Sequence, residues 1–188
     1  MVRARCWHPG RVLPDERVET VRLRPLAPAD EAEATAAHLE LAAEGFTFLF
    51  GFEPGQDWGE YLAAAARAGD GADLPDGHVP ATFRVIEVGG RFVGRVSVRH
   101  RLTPALAVDG GHIGYAVRAP YRGRGYATAA LRRALGVARD VGVDVALVTC
   151  DDGNVASARV IERCGGVLVD VVDTEHGPVR RYHVGTGH

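Results

Sequence analysis

The sequence predicts an α/β fold, one domain with a sheet flanked by helices, and three observations carry that expectation. Strand and helix signals alternate over residues 112–166: an apolar strand at 112–117, a glycine-rich turn, and an amphipathic stretch from Tyr126. An apolar run at 143–150 and a second amphipathic stretch from Val155 complete the series. Upstream, residues 81–88 and 91–101 flank Gly89-Gly90, a dipeptide that tolerates the positive φ of a tight hairpin. Size is the third observation. A chain of 188 residues with 46% hydrophobic residues buries one substantial core, whereas two independent domains would each be small.

Taken in order, residues 1–18 hold Trp7-His-Pro-Gly-Arg and Pro14-Asp-Glu-Arg without periodicity. They read as an N-terminal extension ahead of a single domain spanning 19–188. Thr20-Val-Arg-Leu-Arg-Pro-Leu26 alternates apolar and polar residues as a first strand, closed by Pro25 and Pro28, and a helix is expected from 29 to 44. In Gly45-Phe-Thr-Phe-Leu-Phe-Gly-Phe52 the aromatic residues recur every second position. An extended segment packing one face on the core would show that period, and so would a loop lining a pocket. Asp57-Trp58 opens a second helix with Trp58, Tyr61, Leu62 and Ala65 on one face, and residues 70–80, rich in glycine and proline, form a loop.

Charge and cysteine content exclude several function classes. Formal net charge is −2 and all 22 positive side chains are arginines, a balance that argues against broad electrostatic capture of nucleic acid. No apolar stretch approaches the ~18 residues of a membrane span and no signal-peptide core precedes the domain, so a cytoplasmic protein without a membrane partner is expected. Cys6, Cys150 and Cys164 are odd in number and lack a C-x-x-C pair, which offers neither a disulfide framework nor a metal site.

The most informative stretch is Tyr121-Arg-Gly-Arg-Gly-Tyr-Ala-Thr128. Pro120 ends the preceding strand, while Ala127, Ala130, Leu131, Ala134, Leu135 and Ala138 recur at helical spacing, so the glycines sit at a helix entrance. There the first backbone N–H groups have no partner within the helix and the macrodipole adds partial positive charge. Glycines let a phosphate approach those amides. A dinucleotide site would need G-x-G-x-x-G after the first strand, but Thr128 stands at the third glycine. A nucleotide P-loop would need a lysine, and the chain has none.

Arg122, Gly125 and Ala127 instead match the acetyl-coenzyme A signature of the GNAT superfamily of N-acetyltransferases, Gln/Arg-x-x-Gly-x-Gly/Ala. The order around it also resembles that superfamily over residues 81–184: strand, signature turn, helix, strand, Asn154-Val-Ala-Ser157, helix and the terminal Gly165-Gly166. Gly110-Gly-His-Ile-Gly-Tyr115, Thr149-Cys-Asp151 and Val179-Arg-Arg-Tyr182 are similar to an uncharacterised bacterial branch of predicted acetyltransferases. The resemblance implies a mixed, mostly antiparallel central sheet flanked by helices, splayed between the strands at about 112–117 and 143–150. It implies acetyl-coenzyme A as cosubstrate, no metal, and a small-molecule or peptide amine as acceptor, with a homodimer as a candidate assembly.

Site residues follow from the same resemblance. Backbone amides of Arg122, Gly123, Arg124, Gly125, Tyr126, Ala127 and Thr128 would bind the pyrophosphate, with the two arginines adding charge-assisted donors. Main-chain groups of Tyr115, Ala116 and Val117 would pair with the pantetheine arm and polarise the thioester carbonyl. Asn154 would bond near that arm, although an asparagine opening a helix is also a good N-cap. Many relatives place a thiolate-protonating tyrosine seven residues after this asparagine. Ile161 stands there, which makes Ser157 the replacement candidate at the thiolate and a cofactor contact. For the general base the candidates are His112, Glu87, His100 and Glu53. Strand alternation turns His112 to the face opposite Ile113, Tyr115 and Val117, where it is a structural histidine unless a bulge reverses the parity.

Two other classes stay open on the sequence: a catalytically silent acyl-coenzyme A sensor, and a toxin-like enzyme that acetylates aminoacyl-tRNA.

Overall fold

The computed structural model describes residues 20–72, 74 and 77–187; the expected extension 1–18, with Cys6, lies outside them. Strand β1 (Val21–Arg24) opens the chain, followed by helices α1 (Glu31–Ala42) and α2 (Trp58–Gly69). Strands β2 (Ala81–Val88) and β3 (Arg91–Arg99) form the Gly89-Gly90 hairpin. The short helix α3 (Pro104–Val108) leads into β4 (Ile113–Val117), α4 (Tyr126–Asp140), β5 (Val145–Asp151) and α5 (Val155–Arg163). A second hairpin, β6 (Val167–Thr174) and β7 (Gly177–Gly185), ends the fold.

Two antiparallel sheets result, ordered β1-β2-β3-β4 and β5-β7-β6. They meet where the His112 N–H donates to the Leu147 carbonyl at 2.7 Å, and past that bond β4 and β5 belong to separate sheets. This is the expected splay. Gly111 makes the junction possible: its φ is +58°, and a Cβ there would lie 2.5 Å from the Leu147 carbonyl oxygen, so an L side chain is excluded twice over.

Helices cover the first sheet on both faces, which is why β3 is buried along nearly its whole length. On one face α4 sets Ala130, Leu131, Ala134, Leu135 and Ala138 against Val96, Val98 and Ile113. On the other, Ala34, Ala37 and Leu41 of α1 pack with Phe48, Phe52, Trp58, Tyr61 and Phe92. Residues 46–52 form no strand. Phe48 and Phe52 are buried, and the Phe52 ring lies edge-on to Trp58 and Tyr61 at 5.7 and 5.1 Å, while Phe50 is 44% exposed. The period of two therefore divides one segment between core and surface.

Caps expected from sequence hold two of the helices. Asp57 accepts from the Glu60 N–H at 2.8 Å ahead of α2, and Asn154 accepts from the Ser157 N–H at 3.0 Å ahead of α5. No helix among the described residues is long and apolar enough to cross a membrane.

Candidate active site

The signature turn is built for an anion by its backbone. Gly123 and Gly125 adopt φ of +77° and +79°, and the first bond of α4 runs from the Ala129 N–H to the Gly125 carbonyl at 3.1 Å. The amides of Gly123, Arg124, Gly125, Ala127 and Thr128 consequently have no backbone acceptor among the described residues. They gather at the positive end of a 15-residue helix. A Cβ built at Gly123 or Gly125 meets nothing within 4 Å, so the space beside these two glycines is open.

The two arginines of the turn are placed differently from one another. Arg122 donates from Nε to the Val117 carbonyl at 2.9 Å and from Nη2 to Glu44 at 2.7 Å, and so braces the turn against the end of β4 and the segment just past α1. Arg124 meets the Pro120 carbonyl at 3.2 Å and no carboxylate among the described residues, which leaves its charge for an anion. Glu40, one helical turn before Glu44, holds Arg118 at 3.0 Å and the Ala119 N–H at 3.1 Å. Sequence reasoning missed this clamp. Its signal was the matched spacing of four between Glu40 and Glu44 and between Arg118 and Arg122.

His112 is fastened on three sides. Its N–H donates to the Leu147 carbonyl, its Nδ1 accepts from the Leu147 N–H at 2.9 Å, and its carbonyl accepts from the Arg99 N–H at 2.7 Å. Burial, then the charge of Arg99, lowers its pKa below 6.5, so the ring is neutral with Nδ1 unprotonated at pH 7. Because the unfolded chain binds this proton more readily than the fold does, the contribution of His112 to stability is present above about pH 6.5. It is lost as pH falls through the lower folded value. His112→Leu strands the Leu147 N–H and is expected to cost about 1–3 kcal/mol of stability while removing this acid-side loss. Urea unfolding between pH 5 and 8 measures both; an unchanged profile would show that His112 does not join the sheets.

Tyr115 and Ser157 meet across the splay. The tyrosine hydroxyl lies 2.7 Å from Ser157 Oγ, linking β4 to the first turn of α5, and burial pushes its pKa up to about 12. The Cys150 thiol beside them is likewise raised by burial. Ile161 is fully buried and offers no proton donor, and the Asn154 side chain serves the helix cap. Glu87 is drawn elsewhere: its carboxylate binds Arg24 at 2.5 Å and faces Arg22 at 3.8 Å, in a cluster with Asp30.

A cleft of about 800 Å³ opens between α2 and the β2–β3 hairpin, lined by Phe50, Tyr61, Thr82, Ser97, Arg99 and His100 among others. His100 Nε2 sits 2.9 Å from Thr82 Oγ1, and burial lowers its pKa, so it is neutral at pH 7. Glu53 lies in the exposed loop between Phe52 and α2 and is not among the lining residues. Among the described residues no His, Cys, Asp or Glu cluster gathers that could hold a metal ion.

The family model for the acetyltransferase (GNAT) domain matches residues 20–167. The chain belongs to the GNAT acetyltransferase family. No curated protein matches significantly. Among solved structures, this GNAT chain is similar to Mycobacterium smegmatis RimJ in complex with a coenzyme A disulfide, at 22% identity over 89% of this chain and 83% of that one, TM-score 0.65. It is also similar to RimL, a ribosomal L7/L12 alpha-N-protein acetyltransferase in complex with coenzyme A, at 16% identity over 88% and 94% of the chains, TM-score 0.65. The yncA protein from Salmonella typhimurium with its cofactor acetyl-coenzyme A gives 19% identity over 90% and 96%, TM-score 0.59. At these identities the likeness is one of fold.

Proposed function

We propose that this protein transfers an acetyl group from acetyl-coenzyme A to a primary amine by direct attack in a ternary complex. The observation that carries the reading is a single alignment of three features. The signature turn lies just beyond the C-terminal end of β4, β4 and β5 part into separate sheets past the His112–Leu147 bond, and the cleft opens over the β2–β3 face. The solved relatives that hold coenzyme A or acetyl-coenzyme A share this fold, and one of them is a ribosomal alpha-N-protein acetyltransferase.

In this reading the amides from Gly123 to Thr128 take the pyrophosphate, with Arg124 adding charge. Main-chain groups of Ala116 and Val117 pair with the pantetheine arm, and an N–H there polarises the thioester carbonyl. His100, neutral and facing the cleft, takes the proton of the attacking ammonium directly or through water. The Tyr115–Ser157 pair donates a hydrogen bond to the departing thiolate, and the collapsing tetrahedral intermediate releases coenzyme A and the amide.

Free-thiol release from acetyl-coenzyme A across an amine panel tests this. The expected result is amine-dependent turnover with an N-acetylated product by mass spectrometry. Tight acetyl-coenzyme A binding with no turnover on any amine would instead mark the chain as an acyl-coenzyme A sensor.

A further inference from the structure

Arg95 is a buried side chain that the proposed chemistry leaves unused. It is 2% exposed, on the central strand, and its guanidinium lies between two aromatic rings, 4.7 Å from the Phe46 centroid and 4.6 Å from that of Phe50. Nη2 donates to the Thr47 carbonyl at 2.8 Å, but Nε and Nη1 have no hydrogen-bond partner. Burial, and after it the charge of Arg99, pushes its pKa down to about 9, and Tyr61 is the one group that acts in the opposite sense. Among the described residues, no carboxylate compensates this charge.

A buried guanidinium with open donors is expensive, since each unmet donor carries its desolvation cost and the charge carries more. Two ring faces offset part of that by cation–π attraction, yet they satisfy no N–H. Arg95 pairs with Ala116 of β4 in register, and Ser97 pairs with Gly114. A Cβ built at Gly114 would lie 3.6 Å from Arg95 Nη1, an ordinary van der Waals contact, so that nitrogen sits directly beside the glycine. Ser97 and Phe50 both line the cleft, which places the guanidinium one ring behind its wall.

The described part of the cleft is biased toward anions. Among the described residues that line it, Arg84 and Arg99 are cationic and Asp70, at the far end of α2, is the one carboxylate. A polyamine acceptor would find little there to hold a second ammonium. A carboxylate, with its planar pair of oxygens, matches the parallel N–H groups of a guanidinium.

We propose that Arg95 is the docking site for a carboxylate carried by the acceptor, which makes the substrate class a small amine that also bears a carboxylate. The inference rests on the acceptor being an amine. The carboxylate sits over Gly114 beside Ser97, and one strand repeat of about 6–7 Å separates it from the main chain of Ala116, the reach of an amino acid between its two charged groups plus one hydrogen bond.

The test pairs binding with turnover. Thermal unfolding of the full chain with coenzyme A is recorded in the presence of each protein amino acid, its primary amide and its decarboxylated amine. A rise in Tm is expected with carboxylate-bearing members only, absent in Arg95→Met and weakened about tenfold in apparent affinity in Arg95→Lys, which keeps the charge and loses the fork. Acetyl-coenzyme A affinity by calorimetry is expected to be unchanged in both variants. Equal protection by amides and amino acids, protection that survives in both variants, or none from any member each overturns the carboxylate site. The Lys variant decides the matter alone if Arg95→Met does not fold. Carboxylate-selective protection without thiol release leaves the Arg95 site standing and sinks the acetyl-transfer reading.

Discussion

Gly125→Glu is expected to weaken acetyl-coenzyme A binding by at least about a hundredfold in a protein that still folds. Gly125 holds φ at +79° as the N-cap of α4, and a non-glycine residue there costs about 1–2 kcal/mol, a loss one domain can absorb. Nothing lies within 4 Å of a Cβ at this position, so the glutamate enters free space beside the turn to which the proposed function assigns the pyrophosphate. It takes up that volume and sets a negative charge against the phosphates in the field that favours them. The hundredfold figure corresponds to about 2.7 kcal/mol, the scale of one lost charge-assisted contact together with one repulsion. Isothermal titration on a variant with a cooperative melt measures it. Wild-type affinity in that variant would remove the turn from the cofactor site.

Ser157→Ala and Tyr115→Phe are each expected to lower kcat about tenfold or more while leaving the KM for acetyl-coenzyme A within about twofold. The two hydroxyls share one hydrogen bond at 2.7 Å, and the tyrosine, raised to about 12, stays protonated through the physiological range. Either substitution breaks the same unit, so the double variant should be little worse than the single ones. Additive losses would show two independent groups. A kcat within about twofold of wild type in both singles would leave the pair as a brace between β4 and α5.

Much of this molecule is legible from local chemistry. The Gly89-Gly90 turn, the caps Asp57 and Asn154, the apolar faces of α2 and α4 and the glycine spacing of the signature depend on residues a few positions apart, whose interactions their own sequence dictates. Residues 46–52 are harder to read. A period of two reports that alternate side chains differ in environment, and both a core and a cleft wall satisfy it; only the packing of Trp58 and Tyr61 decides which phenylalanine goes where.

By itself the sequence determined the GNAT family, the α/β layering and the glycine turn at the entrance of α4, because backbone conformation and helix-end electrostatics are set within one short segment. The tertiary structure alone decided the partners that lie far apart along the chain. Glu44 claims Arg122 across 78 residues, Leu147 binds both His112 N–H and Nδ1, Ser157 reaches Tyr115, and Arg95 is enclosed by a loop 48 residues upstream with its donors open. Whether a charged side chain binds phosphate, braces a turn or waits for a carboxylate depends on which opposite charges the fold brings within hydrogen-bonding distance. That is a property of packing across the sheet, and strand spacing in the sequence carries no record of it.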